Sequence, residues 1–412
     1  MVFKSDPFVI LDVPGTAFGS PLASPTQAFM PTRQLGLQQC FNPRAATLAV
    51  AHVILHLLDI SDRLGVLHGA VMELVDCSLP LLKDVVATDD TEKAFSGIDA
   101  AFMVASMPIM GRMVRRDLLT ANAKMYKSQG RALNQYAKKS VKVLREDARQ
   151  HAADFSHTGT DSEFTWRQLL GPDGRPIAGL GVASIIEPSL RENLLCFLSS
   201  RIPQVLVVCN PANTIAWVCS KYAPSIPKEN FSALTRLDHN RAIVQIAQKL
   251  KVTTADVRKV IIWGNHSSTQ FPDVSHASVT IKGQTVKVTD AIKDEAYFQD
   301  EFVTTVQERG TEIFNARKVT SAMSAAKAAA DHVRDWWQGT PEGEWVSMAV
   351  MSDGSYGSPA DVVFSYPVHV DAQRRWHIVQ GLSLSDYARH KIDVSGKELV
   401  DERDEALAVC KD

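Results

Sequence analysis

In the first half of the chain, apolar residues come in unbroken runs. HVILHLLDI (52–60), AAFMVAS (100–106) and VLVVCN (205–210) are apolar at successive positions instead of alternate ones. Such runs suit parallel strands buried on both faces. Helical stretches intervene, notably over 117–139, and the alternation predicts an α/β fold with a doubly wound parallel sheet. In that architecture ligands gather at the carboxyl ends of the strands, where Asp59, Ser106 and Asn210 stand.

The second half has a different texture. Met323, Ala326, Ala330, Val333 and Trp337 recur at 3-4-3-4 spacing and predict an amphipathic core helix over 321–337. Residues 346–351 and 360–370 predict strands, joined by the turn-rich SDGSYGSP. A β-branched run over 257–263 predicts another strand. Residues 397–410 predict a closing helix with acids on its outer face. Together these predict an α+β substrate domain.

Two stretches break the rhythm. The first 50 residues hold six prolines, only two acids and little periodicity, which predicts a poorly ordered leader. They lack the basic start and compact apolar core of a secretory signal, and Arg33 and Arg44 are few for a transit peptide. Between Val143 and Val205 lie about sixty residues with the turn-rich GPDGRP, too long for an ordinary connection inside an α/β unit. The expected organisation is therefore a leader over 1–50, an α/β domain over 51–234 interrupted by an insertion at 144–204, and a substrate domain over 235–412.

Composition narrows the class. The chain has 412 residues, 45% hydrophobic and 22% charged, with a net charge of −2, so two domains fit. Near-neutral charge without a basic stripe predicts no nucleic-acid partner. No apolar run is long enough to span a bilayer. Six scattered cysteines without C-x-x-C pairing predict reduced thiols in an intracellular protein and no metal site.

The candidate chemistry sits in LTRLDHNRA (234–242) and IIWGNHSSTQ (261–270). Asp238 and Arg241 are at i and i+3 near the start of a helical pattern and share a face. His266 falls just past the strand-like run, in a turn. An imidazole to carry a proton, a carboxylate to hold its tautomer and a guanidinium for an anion make a plausible active site. The same three residue types also occur as ordinary buried polar networks.

With NPANT (210–214) beside that group, the text resembles the malate dehydrogenase branch of the lactate/malate dehydrogenase family. It is most similar to the cytosolic, NAD-dependent, homodimeric form. MELVDCSLPLLKDVVAT (72–88), APSIPKENFSALTRLDHNRA (223–242), IIWGNHSSTQFPDV (261–274) and HVRDWWQGTPEGEWVSM (332–348) carry the likeness, over roughly 54–143 and 205–412. The resemblance implies a Rossmann-like fold and cytoplasmic interconversion of (S)-malate and oxaloacetate. His266 would be the proton acceptor and donor, Asp238 its orienting carboxylate, and Arg241 the fork for a substrate carboxylate. Arg115 and Asn210 would also contact the dicarboxylate. Asp59 would bind the NAD ribose, while Asn122, Gln129, Asn210 and Ser324 would line the cofactor groove.

Three features depart from the family's pattern. Its first strand and G-x-x-G-x-x-G turn have no counterpart: GTAFG (15–19) runs into SPLASP, and Gly179 and Gly181 lack a third glycine. Loss of that turn would weaken NAD binding, since its amides and the next helix receive the pyrophosphate. The insertion interrupts the text before Asn210, although residues 204–208 could rebuild the strand there. Ile109 stands where the family has an arginine selecting the second carboxylate, with Arg112 as a possible substitute. The alternative expectations are a catalytically impaired dimerising relative, a 2-oxo acid reductase with altered selection, or a chain whose residues 1–50 and 144–204 do not belong to the mature protein.

Overall fold

The apolar runs become the centre of a nine-stranded sheet in the computed structural model, which describes residues 8–11, 53–79, 82–106, 115–137, 203–318 and 320–411. Six strands are parallel: β1 (Phe8–Leu11), β2 (Val53–Leu58), β3 (Leu82–Thr88), β4 (Ala100–Met103), β5 (Gln204–Val207) and β6 (Phe231–Ala233). Their spatial order is β3-β2-β1-β4-β5-β6. This is the doubly wound dinucleotide-binding order, with its switch point between β1 and β4. Leu55, Leu57, Val205 and Val207 are fully or almost fully buried. Each leucine so buried stabilises the fold by about 2 kcal/mol.

β1 corrects an expectation. The leader was expected to lack the first strand, yet FVIL fills that slot, with Phe8 in register with Leu55 on one side and Ala100 on the other. The physical reason is the sheet's own demand. Without β1, β2 and β4 would present two unpaired edges in the middle of the molecule, and a short apolar run with two β-branched residues satisfies both. Residues 204–207 likewise rebuild the strand after the insertion, pairing with β4 and β6. The segments 12–52 and 138–202, with both glycine-turn candidates, lie outside the described residues.

Past β6, the expected strand over 257–263 divides in two. β7 (Val257–Arg258) and β8 (Ile261–Trp263) flank Lys259, whose φ is +62°. The left-handed residue turns the chain, so the halves join different sheets. β7 pairs with β10 (Ser278–Ile281), which also pairs with β11 (Gln284–Lys287), while β8 pairs with β9 (Phe271–Asp273). The strands β12 (Val346–Met351), β13 (Val363–Val370) and β14 (Trp376–Ile378) form no separate sheet. They extend the parallel sheet antiparallel from β6, through Ala349 beside Ala233.

Ten helices are described: α1 (Leu64–Asp76), α2 (Thr91–Phe95), α3 (Arg115–Tyr136), α4 (Ala212–Tyr222), α5 (Arg236–Leu250), α6 (Val288–Ile292), α7 (Glu295–Gln299), α8 (Glu301–Arg317), α9 (Met323–Gln338) and α10 (Asp386–Val409). Leu237 of α5 and Ala328 and Val333 of α9 pack with Leu55, Leu67 and Leu206, so the second half helps cover the first half's sheet. A second core gathers Trp263, Trp336, Phe364 and Tyr366. The described residues all fall in one compact unit.

α10 corrects a second expectation. It begins at Asp386, capped by the Ser385 hydroxyl, which accepts from the Ala388 N–H at 3.2 Å. Its acids do not all face outward. Asp401 and Asp404 are exposed, but Glu402 is buried and Glu398 and Glu405 are half-buried. The inward carboxylates have cationic or hydroxyl partners on other elements, which offset their desolvation.

Candidate active site

Asp238 lies in the first turn of α5, completely buried. An acid is favoured there by the helix dipole, but a buried carboxylate also needs partners. It has two. Arg241, one turn on, donates from Nη1 to Oδ1 at 3.1 Å, and His266 Nδ1 bonds Oδ2. Arg241 also donates from Nη2 to Ser321 Oγ at 3.3 Å. Because Nδ1 is engaged, Nε2 is the imidazole nitrogen left for chemistry. The His266 side chain is 18% exposed against 0% for Asp238. One end of the pair is sealed and the other open.

The turn that carries His266 is held from two helices. Asn213 of α4 accepts the His266 backbone N–H at 3.1 Å, and its own amide donates to Gly264 O and Val363 O at 3.1 and 2.9 Å. From α10, Ser395 Oγ accepts the Asn265 N–H at 2.8 Å, and Glu398 accepts from Asn265 Nδ2 at the same distance.

A second group gathers at the strand ends. Asp59 follows β2 half-buried, its Oδ1 accepting the Ile60 N–H at 2.8 Å. Asn210 stands exposed beyond β5, and its carbonyl accepts from the buried Asn122 at 2.7 Å. Asn122 also donates to Ser106 at 3.2 Å, so one amide ties the ends of β4 and β5 together. Gln129, two turns along α3, has a buried Oε1 without a partner among the described residues. Beneath Asn210, burial pushes the Cys209 thiol up to about 12, which leaves it protonated and inert. Ser324 is exposed at the start of α9. Arg115, first in α3, donates from Nε to Glu402 Oε1 at 2.6 Å, and Glu402 Oε2 accepts from Thr214 Oγ1 at the same distance. Arg115, Glu402, Thr269 and Glu398 line one groove of 590 Å³. Ile109 and Arg112 lie outside the described residues. Among the described residues no three His, Cys, Asp or Glu side chains converge as metal ligands.

Two family models match this arrangement along the chain. Residues 36–145 match the lactate/malate dehydrogenase NAD binding domain, and residues 235–410 match the alpha/beta C-terminal domain of the same family. The chain belongs to the lactate/malate dehydrogenase family. It is 50% identical to human cytoplasmic malate dehydrogenase over 356 residues, 86% of this chain and 88% of that protein. It is 45% identical to the cytoplasmic malate dehydrogenase of Caenorhabditis elegans, over 87% of this chain and 89% of that one. Among solved structures, the Naegleria fowleri malate dehydrogenase superposes with a TM-score of 0.72 at 31% identity, covering 99% and 100% of the two chains. The Trichomonas vaginalis lactate dehydrogenase in complex with NADH and oxamate gives 0.73 at 30%, covering 98% and 99%.

Within this dehydrogenase frame the fold brings Asp238, Arg241 and His266 into contact, and Asp59, Ser106 and Asn210 to the carboxyl end of the parallel strands. It does not join Arg115 to the trio, because Glu402 engages that guanidinium. Asn213, Glu398 and Glu402 were not anticipated. Asn213 had a legible signal, a polar residue inside the apolar helix text ANTIAWV. The two glutamates had none, since helix acids ordinarily face water.

Proposed function

We propose that this chain is a cytoplasmic NAD-dependent malate dehydrogenase that interconverts (S)-malate and oxaloacetate. The observation that carries the reading is the buried Asp238 carboxylate, shared between the His266 imidazole and the Arg241 guanidinium. The named cytoplasmic relatives support the substrate and the compartment.

The chemistry follows from the two ends of the pair. His266 takes the malate hydroxyl proton on Nε2 and returns it to the oxaloacetate carbonyl oxygen in reverse. Asp238 holds the tautomer through Nδ1 and stabilises the imidazolium, a stronger effect in a dry site than in water. Arg241 binds a substrate carboxylate with the planar donor pair that a lysine lacks. By the family resemblance Arg115, held here by Glu402, would bind the second substrate carboxylate once released, and Asn210 would contact both substrate and cofactor at the strand end.

The residues present fit NAD. The Gln129 oxygen on α3, without a partner among the described residues, and the Asp59 carboxylate after β2 offer acceptors suited to amide and ribose hydroxyl donors. The charge on Asp59 would repel a 2′-phosphate, which favours NAD over its phosphorylated form. Asn122 and Ser324 complete the groove. Bound NAD supplies the hydride acceptor.

The working unit is a homodimer in this reading. α1 supports it: Leu67, Ala70 and Leu74 are buried on one face, while Val66, Met72 and Val75 remain exposed around the rest of the helix.

The test is turnover of oxaloacetate with NADH, beside a pyruvate arm and a His266→Ala control. Oxaloacetate should be the better substrate, and the variant should lose about 10³-fold in kcat. Equal turnover by the control would remove the proton-transfer role, and a preference for pyruvate would remove the dicarboxylate.

A further inference from the structure

Three hydrogen bonds converge on one carboxylate oxygen behind the site. Glu398 Oε2 accepts from Asn265 Nδ2 at 2.8 Å, Ser267 Oγ at 2.5 Å and Thr269 Oγ1 at 2.6 Å. Asn265 and Ser267 are the immediate neighbours of His266, one on each side. Ser395, one turn earlier on α10, takes the Asn265 backbone N–H and contacts Thr269 Oγ1 at 2.9 Å.

The approach of α10 to this turn is unusually close. Gly264 has a φ of +89°, and a Cβ there would lie 2.1 Å from Ser395 Oγ. No side chain separates the helix from the turn. Asn213 meanwhile holds the His266 N–H from α4, and Asp238 holds the ring from α5. The backbone of residues 264–269 is thus fixed by α4 and α10, and the ring by α5.

We infer that Glu398 is a positioning residue for His266, setting where Nε2 stands against the substrate. The inference rests on the proposed proton-transfer role of His266. Asp238 fixes only the ring nitrogen, so the ring can pivot about that bond unless the backbone carrying it is also fixed. An ionised carboxylate accepts several charge-assisted bonds at once, which a neutral acceptor does less well. A proton acceptor displaced by about 1 Å costs up to about 10²-fold in rate.

The experiment compares Glu398→Ala, Glu398→Gln and Thr269→Val in the full chain. Each is assayed for kcat, for KM of oxaloacetate and NADH, and for the primary isotope effect with 4-deuterated NADH, beside its melting temperature. Glu398→Ala should lower kcat about 30-fold with KM for NADH within about twofold of the parent. Its isotope effect on kcat should rise, because a misplaced proton donor slows the chemical step itself. Glu398→Gln, which keeps an acceptor, should recover most of that loss. Thr269→Val removes one donor and should lower kcat about threefold, which keeps the idea testable if the alanine variant does not fold.

A lower melting temperature with unchanged kcat and isotope effect in Glu398→Ala or Thr269→Val would overturn the assignment. So would parallel losses in kcat and NADH affinity, which mean general disruption. His266→Ala separates the two ideas: full activity there defeats the proton-transfer reading, whatever Glu398 does.

Discussion

His332 shows what one buried side chain does to the acid limit of the molecule. It is 1% exposed on α9, edge-on to Trp336, and neither ring nitrogen has a partner among the described residues. Burial, and then the nearby Arg236 charge, hold its pKa down at about 3. In the unfolded chain an imidazole titrates near 6.5. Between those values the unfolded state binds the extra proton, so the stability His332 contributes is complete above pH 6.5. It is lost as pH falls toward 3, by about 1.4 kcal/mol per pH unit. His239 is shifted in the same direction but has the Ser347 hydroxyl at 2.9 Å. His332→Phe should therefore flatten the loss of stability between pH 6.5 and 4 by one proton's worth. Near pH 8 it should be neutral or stabilising by about 1 kcal/mol, since it removes two unpaired polar atoms. Urea unfolding at pH 5 and 8 reads both, and an unchanged pH slope would show that the imidazole is not held neutral.

At the scale of elements, the close packing of α10 on the His266 turn gives the sharpest expectation. Gly264→Ala puts a Cβ at positive φ and against Ser395, so it should destabilise by more than about 2 kcal/mol. Adding Ser395→Gly should recover part of that loss but not the backbone strain, because the two sites are in contact. In thermal unfolding, recovery of none of it would refute the contact, and recovery of all of it would refute the strain. The same helix shows where legibility ended. β2, β4, β5 and β12 were plain from their apolar runs, and the Asp238, Arg241 and His266 group from its residue types. The start of α10 was not, because Ser395 and Gly396 interrupt its periodicity in order to let other chain segments approach. β1 was hidden by the prolines around FVIL, and the break at Lys259 by a backbone angle that lysine does not advertise. Local pattern puts Glu398 and Glu402 on a solvent-facing stripe, because their partners lie far away in sequence and leave no trace in it.

At the scale of the molecule, one sheet runs from β3 to β14, so the nucleotide-binding and substrate halves share a frame. Such a frame leaves α1 as a flank with three large apolar side chains exposed. Val66, Met72 and Val75 are 52%, 64% and 62% exposed, Met72 opposite the buried Leu67, Ala70 and Leu74 and the two valines flanking them. Scattered exposed apolar residues are common, but three spread across the outer half of one helix that follows an exposed Ile60 make a candidate contact patch. A two-fold axis beside α1 would bury that patch against its own copy, as closed symmetric dimers do. The wild-type chain should then sediment at twice its own mass. A charge at the centre of the patch would be desolvated in the dimer and hydrated in the monomer, so it acts on association and not on folding. Met72→Asp should therefore sediment at the single-chain mass at micromolar concentration while keeping the parent's circular dichroism. If it remains dimeric there, the interface lies on another face of the sheet's covering layer, and α1 is merely a greasy surface helix.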